Sequence, residues 1–187
     1  MKYPLLLAGL LLCVVVLSGC LSQNGFDSDF AKAKAVMERN GAVVPDTLLP
    51  PSVDLINHTE LELQALRLMV QKEGDSPDKT AMQNFLSGQL SLLEMQKQFY
   101  LAQEQLSLTD FVNVSCDPQR NLAKAVTHLD TAVTNAELSG QYFGLFSVNS
   151  KALAAKTQID FDALLLRIQE SRQLFIQMKT TAKKYCS

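Results

Sequence analysis

The sequence predicts an all-α protein, an up-and-down antiparallel helical bundle of about four long helices plus one short N-terminal helix. Three observations predict it. Apolar residues recur at three- and four-residue spacing through long stretches. Pro45, Pro50, Pro51, Pro77 and Pro118 fall between those stretches or at a first helical turn, and interrupt none. No run of alternating β-branched residues meets an Asn-Gly or Asp-Gly turn, so no strand competes. The chain has 187 residues, 47% apolar and 19% charged, which suits one ordinary domain and excludes a disordered polyelectrolyte. Its 17 basic and 19 acidic residues give a net charge of −2. That balance excludes the clustered basic surface a nucleic-acid partner requires.

The N-terminal segment is read first. Lys2 is followed by an uninterrupted apolar run, Leu5 to Leu17. Thirteen helical residues span only about 20 Å, short of the roughly 30 Å hydrocarbon core. The length fits the apolar region of a signal peptide. The run ends in Leu17-Ser18-Gly19-Cys20, a branched apolar residue, two small residues and a cysteine. Residues 1–20 thereby resemble the lipobox signal peptide of prokaryotic lipoproteins. The resemblance implies that residues 1–19 are cleaved. Cys20 would become a diacylated N-terminus, and the protein would be held at the extracytoplasmic face of the cell membrane. Two acyl chains anchor durably where one holds only marginally. Lys2 is the one charged side chain removed, leaving 16 basic against 19 acidic residues. Nothing basic flanks Cys20, so lipid rather than charge would anchor the chain. No aspartate follows Cys20, so the inner-membrane retention signal of Gram-negative lipoproteins is absent. A short lipidated tether, residues 20–26, precedes a single bundle domain over 27–187.

The helices follow in order. The first is expected over Asp29–Arg39, stopped by Asn40-Gly41, with Phe30, Ala33 and Met37 on one face. A proline-bearing linker, 41–51, leads to a second helix from Ser52 to Gly74, where glycine suits a left-handed stop. Its stripe is Ile56, Leu63, Leu66 and Val70. The third helix has the clearest start, with Ser76 as cap, Pro77 in the first turn and Asp78 favourable to the dipole. It runs to about Ser107. Phe85, Leu92, Phe99 and Leu106 recur every seven residues, and Gly88, Met95 and Ala102 fall three later. This is a three–four seam that alternates large with small residues. Leu86, Leu93 and Tyr100 widen it, and Asn84, Ser91, Gln98 and Gln105 lie opposite. The fourth helix starts at Cys116-Asp117-Pro118, with Asp117 as cap and Leu122, Val126, Leu129, Val133 and Ala136 as stripe. It either ends at Gly140 or continues through Phe143 to near Val148, and continuation is favoured because it matches the length of its neighbours. A lead-in turn at Lys151–Lys156 precedes a fifth helix over Asp160–Tyr185, with Phe161, Ile168, Phe175 and Ala182 every seven residues. Short connections between long helices favour antiparallel neighbours.

Little in the chain carries chemistry. His58 and His128 are the two histidines, and Leu55 and Ala125 stand where a di-iron Glu-x-x-His motif needs glutamate. A b-type haem between His128 and a core methionine is compatible with the spacing. Asn121 and Asn135 beside His128 instead suggest a solvated polar edge. No cofactor or metal is expected. The carboxylates read as scattered over outward positions, giving glycosidase-type pairs no support. Met37, Met69, Met82, Met95 and Met178 read mostly as core filling. Asn57-His58-Thr59 and Asn113-Val114-Ser115 match the glycosylation triplet, which is common by chance. With Cys20 lipidated, Cys116 and Cys186 remain as an even pair in an exported chain. Cys116 precedes the fourth helix and Cys186 follows the fifth. If those helices are antiparallel neighbours, the two cysteines meet at one end as a disulfide. The expected function is therefore a non-catalytic, lipid-anchored interaction module for another envelope protein or an extracellular ligand. An extracytoplasmic enzyme or a haem- or metal-binding bundle is the alternative.

Overall fold

The computed structural model describes residues 25–40, 52–109 and 121–185. The expected signal peptide, Cys20, the prolines at 45, 50, 51 and 118, Asn113, Cys116, Asp117 and Cys186 lie outside the described residues. Among those described there are six α-helices and no strand. They are α1 (Gly25–Arg39), α2 (Val53–Gln71), α3 (Pro77–Ser107), α4 (Asn121–Asn149), α5 (Lys151–Lys156) and α6 (Phe161–Lys184). The all-α bundle expected from the sequence is what the chain forms.

The caps are local and chemical. The Ser52 hydroxyl accepts from the Leu55 N–H, the Ser76 hydroxyl from the Lys79 N–H, and the Asp160 carboxylate from the Ala163 N–H. Each satisfies one of the donors a helix start leaves open. Two boundaries differ from expectation. α1 begins at Gly25, not Asp29, because Phe26 is buried and extends the inward face by one turn. Gly25 and Phe26 therefore belong to the bundle and not to the tether. α2 ends at Gln71, and Gly74 is not left-handed; Lys72 closes the helix with right-handed backbone. Past Gly140, α4 continues to Asn149, and Lys151–Lys156 is a separate short helix. The chain then reverses through Gln158, at φ 60°, into α6.

α3 is the central helix. From Ala81 to Phe99 none of its residues is exposed. α4 packs along it over the largest interface, α2 covers another side, and α6 packs on α4. Directions follow from the pairs. Phe85 meets Phe143 and Phe146, Gly88 meets Ser139, and Gln98 meets His128, so α3 and α4 are antiparallel. Phe143 and Phe146 face Phe161, Glu137 pairs with Arg172, and Asp130 with Lys179, so α4 and α6 are antiparallel as expected.

All eight described phenylalanines are in ring contact. Six of them, Phe26, Phe30, Phe85, Phe143, Phe146 and Phe161, form one cluster at the end of the bundle that holds α5. Its neighbouring ring centroids lie 5.1–6.1 Å apart. Phe99 and Phe175 meet as a tilted pair at 4.7 Å further along. Each such pair adds about 0.5–1.5 kcal/mol beyond the apolar area it buries. At the seam, Gly88 lets the α4 ring of Phe143 approach the α3 backbone, and the Ser139 hydroxyl donates to the Gly88 carbonyl at 3.0 Å. Leu106 is only half-buried and Tyr100 is 39% exposed, so the stripe thins toward the far end of α3.

Candidate functional site

The α2 stripe has a gap between Ile56 and Leu63, where Thr59 and Glu60 stand. Helical geometry places both on the inward face, and both are buried. The Thr59 hydroxyl satisfies itself on the Leu55 carbonyl at 2.7 Å. Glu60 instead reaches α3, where Lys97 donates to its Oε2 at 2.9 Å. Lys97 also pairs with Glu94 one turn away. Gln98 Nε2 donates to Glu94 Oε1 at 2.7 Å, and Gln98 Oε1 lies 2.6 Å from His128 Nδ1 on α4. With the carboxamide nitrogen donating to Glu94, the Gln98 oxygen accepts, so Nδ1 carries the proton. A continuous chain, Glu60–Lys97–Glu94–Gln98–His128, thus ties three helices together.

The electrostatics follow from burial and partners. Desolvation pushes the Glu60 carboxyl above its ordinary value, and the Lys97 hydrogen bond recovers only part of that. Glu94 is also desolvated, but hydrogen bonds from Lys97 and Gln98 outweigh this and hold its pKa below the ordinary value. Burial works against the Lys97 ammonium, yet hydrogen bonds to Glu94 and Glu60 raise its pKa. Desolvation lowers the His128 pKa, partly opposed by the charge of Glu104.

Two sequence expectations are corrected here. His128 is not a solvated edge residue; it is half-buried and bonded to Gln98. The carboxylates are not all outward. Glu60 is buried between α2 and α3, and Asp29 is buried on α1, where it pairs with Lys32 at 2.7 Å and faces Glu73. A charged residue occupying a position of an otherwise apolar stripe is the signal that marks both Glu60 and Asp29. The Gln98–His128 bond had no such signal, because it depends on how α4 is rotated against α3. His58 is exposed and pairs with Glu62, which also binds Arg39 of α1. Asn57 is exposed within α2, and Thr59 of the same triplet is buried. Among the described residues no group of three His, Cys, Asp or Glu side chains is placed to hold a metal ion.

Away from this network, a groove of about 540 Å³ lies at the end opposite α5. Leu106, Leu122, Leu174, Met178, Ala182 and Tyr185 supply most of its lining. It sits where α3 ends, α4 begins and α6 ends. A smaller cavity of about 270 Å³ lies between α1 and the α5–α6 reversal, around Met37 and Ile159. Neither touches Lys97. Gly140 and Gly144 are not close helix contacts: a β-carbon would meet only Ile168, at 3.9 Å, at the first and nothing at the second.

No described helix is long and apolar enough to cross a membrane. No known protein family, characterised protein or solved structure matches the chain.

Proposed function

We propose that the protein is a lipid-anchored extracytoplasmic lipoprotein whose helical bundle acts as a non-catalytic interaction module. Its partner would be another envelope protein or an extracellular ligand, and its attachment to the membrane the diacylated Cys20. The observation that carries this reading is the Leu17-Ser18-Gly19-Cys20 sequence at the end of a short apolar run, five residues before α1 begins. The disulfide between Cys116 and Cys186 belongs to the same reading. The antiparallel α4–α6 pairing supports it, because Asn121 and Lys184, the described ends nearest the two cysteines, belong to the same end of the bundle.

The alternative, an enzyme or a haem-binding bundle, would need facing carboxylates or an inward histidine beside open space. Glu60 and Glu94 do face one another, but Lys97 bridges them, and Gln98 occupies His128 Nδ1. The larger described groove is apolar and lies elsewhere. These features support structural rather than acid–base roles for the network.

The test is Cys20→Ser in a bacterial host that acylates lipoproteins. The wild-type chain should incorporate labelled palmitate and partition into detergent. The variant should lose the label and either be released or remain as precursor. A variant that is processed and still partitions like wild type would refute lipid anchoring through Cys20.

A further inference from the structure

We infer that the α5 end of the bundle rests on the lipid surface and that the apolar groove is held at the opposite end, away from the bilayer. The inference builds on the lipid-anchor reading and adds an orientation and a contact surface to it.

The point where the chain joins the fold is held in place. Phe26, 2% exposed, stacks at 5.8 Å on Phe146, which lies in the last turn of α4. Asp27 pairs with Lys156 of α5 at 3.1 Å. The chain arriving from Cys20 therefore meets the bundle at the α5 end. Phe26 lies six positions after Cys20, a reach of about 20 Å at full extension. α4 alone, with 29 residues, is about 43 Å long. A tether half the length of the bundle keeps the α5 end beside the acyl chains. The far end can approach lipid only if the bundle lies on its side.

The surface at the α5 end suits that contact. Leu68 and Met69 occupy the last turn of α2, and Leu145 and Val148 the last two turns of α4. They are 58%, 55%, 47% and 65% exposed. α2 and α4 flank α3 and both terminate at this end, so the four side chains border it from two sides. Lys72 and Lys151 are exposed just beyond them, with stems long enough to keep an ammonium among head groups. Asp27 and Asp75 at this end are paired with Lys156 and Lys79, and Glu73 and Asp78 stand against Lys72 and Lys151, so its charges cancel. The contact is therefore driven by the acyl chains and the apolar rim, not by attraction to anionic lipid. Leu108, Leu174 and Tyr185 are also exposed, but at the far end, beyond the reach of an upright molecule's tether.

The chain contains no tryptophan, so single tryptophans report position without background. Met69→Trp and Val148→Trp place one on each side of the α5 end, and Thr180→Trp places one near the far end. Each lipidated variant is incorporated into phosphatidylcholine vesicles containing lipids brominated near the head group, after far-UV circular dichroism shows the parent's helicity. The expected result is quenched, blue-shifted emission at 69 and 148 and unquenched emission at 180. Equal quenching at all three, or quenching at 180 alone, would overturn the orientation. Sedimentation with vesicles but no quenching at 69 and 148 would overturn the lipid contact while leaving the anchor intact. Failure to sediment at all would refute the anchor reading itself, and this inference with it.

Discussion

Gly88→Ala tests the closest approach in the bundle. In an exposed helix this change would stabilise by about 1 kcal/mol, since alanine restricts the unfolded chain and favours helix. Here a β-carbon at position 88 would lie 2.8, 2.9 and 3.1 Å from three ring atoms of Phe143. That ring is fully buried and cannot step aside, with Phe85 at 6.1 Å and Phe161 at 5.8 Å. Relief requires α3 and α4 to separate locally. Overpacking of this kind costs about 1–3 kcal/mol. Separation would also stretch the Ser139–Gly88 hydrogen bond, a further loss of roughly 1 kcal/mol. Set against the helix gain, the net expectation is a destabilisation of about 1–3 kcal/mol. The internal control is Gly144→Ala, also within a helix but with nothing near its β-carbon, which should stabilise by about 0.5–1 kcal/mol. Urea unfolding followed by far-UV circular dichroism measures both. A Phe143→Leu background should remove much of the Gly88→Ala penalty, a coupling that a double-mutant cycle isolates. If Gly88→Ala stabilises as Gly144→Ala does, the close α3–α4 contact is refuted.

The remaining predictions concern the core, the histidine and the cysteines. Phe99→Ala should cost about 3–5 kcal/mol by urea unfolding, because Phe99 is buried against Phe175; a loss under about 1 kcal/mol would mean that the ring is not in the core. Burial lowers the His128 pKa below its ordinary value of 6.5, so the unfolded chain takes up a proton before the folded one does. His128 should therefore withdraw stability as pH falls through that ordinary value and on to the lower folded value, and below both the loss is complete. His128→Gln should flatten this part of the stability–pH profile, and an unchanged slope would contradict the half-buried placement. A Cys116–Cys186 disulfide would close a loop of about 70 residues and contribute about 4 kcal/mol in the chain-entropy model. Mass spectrometry of the non-reduced protein should find the pair linked, and two free thiols in oxidised material would defeat it.

Much of the local structure was written in the sequence. Ser52, Ser76 and Asp160 cap the helices they were placed to cap or immediately precede, because a capping side chain acts within three residues of itself. The buried faces of α2, α3 and α6 match the periodic stripes, since helical pitch alone decides which side chains share a face. Other features depended on partners distant in the chain. Gly88, Gly140 and Gly144 all stand within helices, yet of the three only Gly88 has a buried ring against its backbone. The stripe positions of Glu60 and Asp29 are local, but the partner that compensates the burial of Glu60 is not. Glu60 can stay buried because Lys97, which lies 37 positions away, reaches it. The same holds for the bond between His128 and Gln98, and for the seat of Phe26 on Phe146 that fixes where the chain joins the bundle. A helix's inward face is set by neighbours three and four residues away. What that face meets, and which charge is compensated when water leaves, depends on the rotation and register of whole helices, and only tertiary packing sets these.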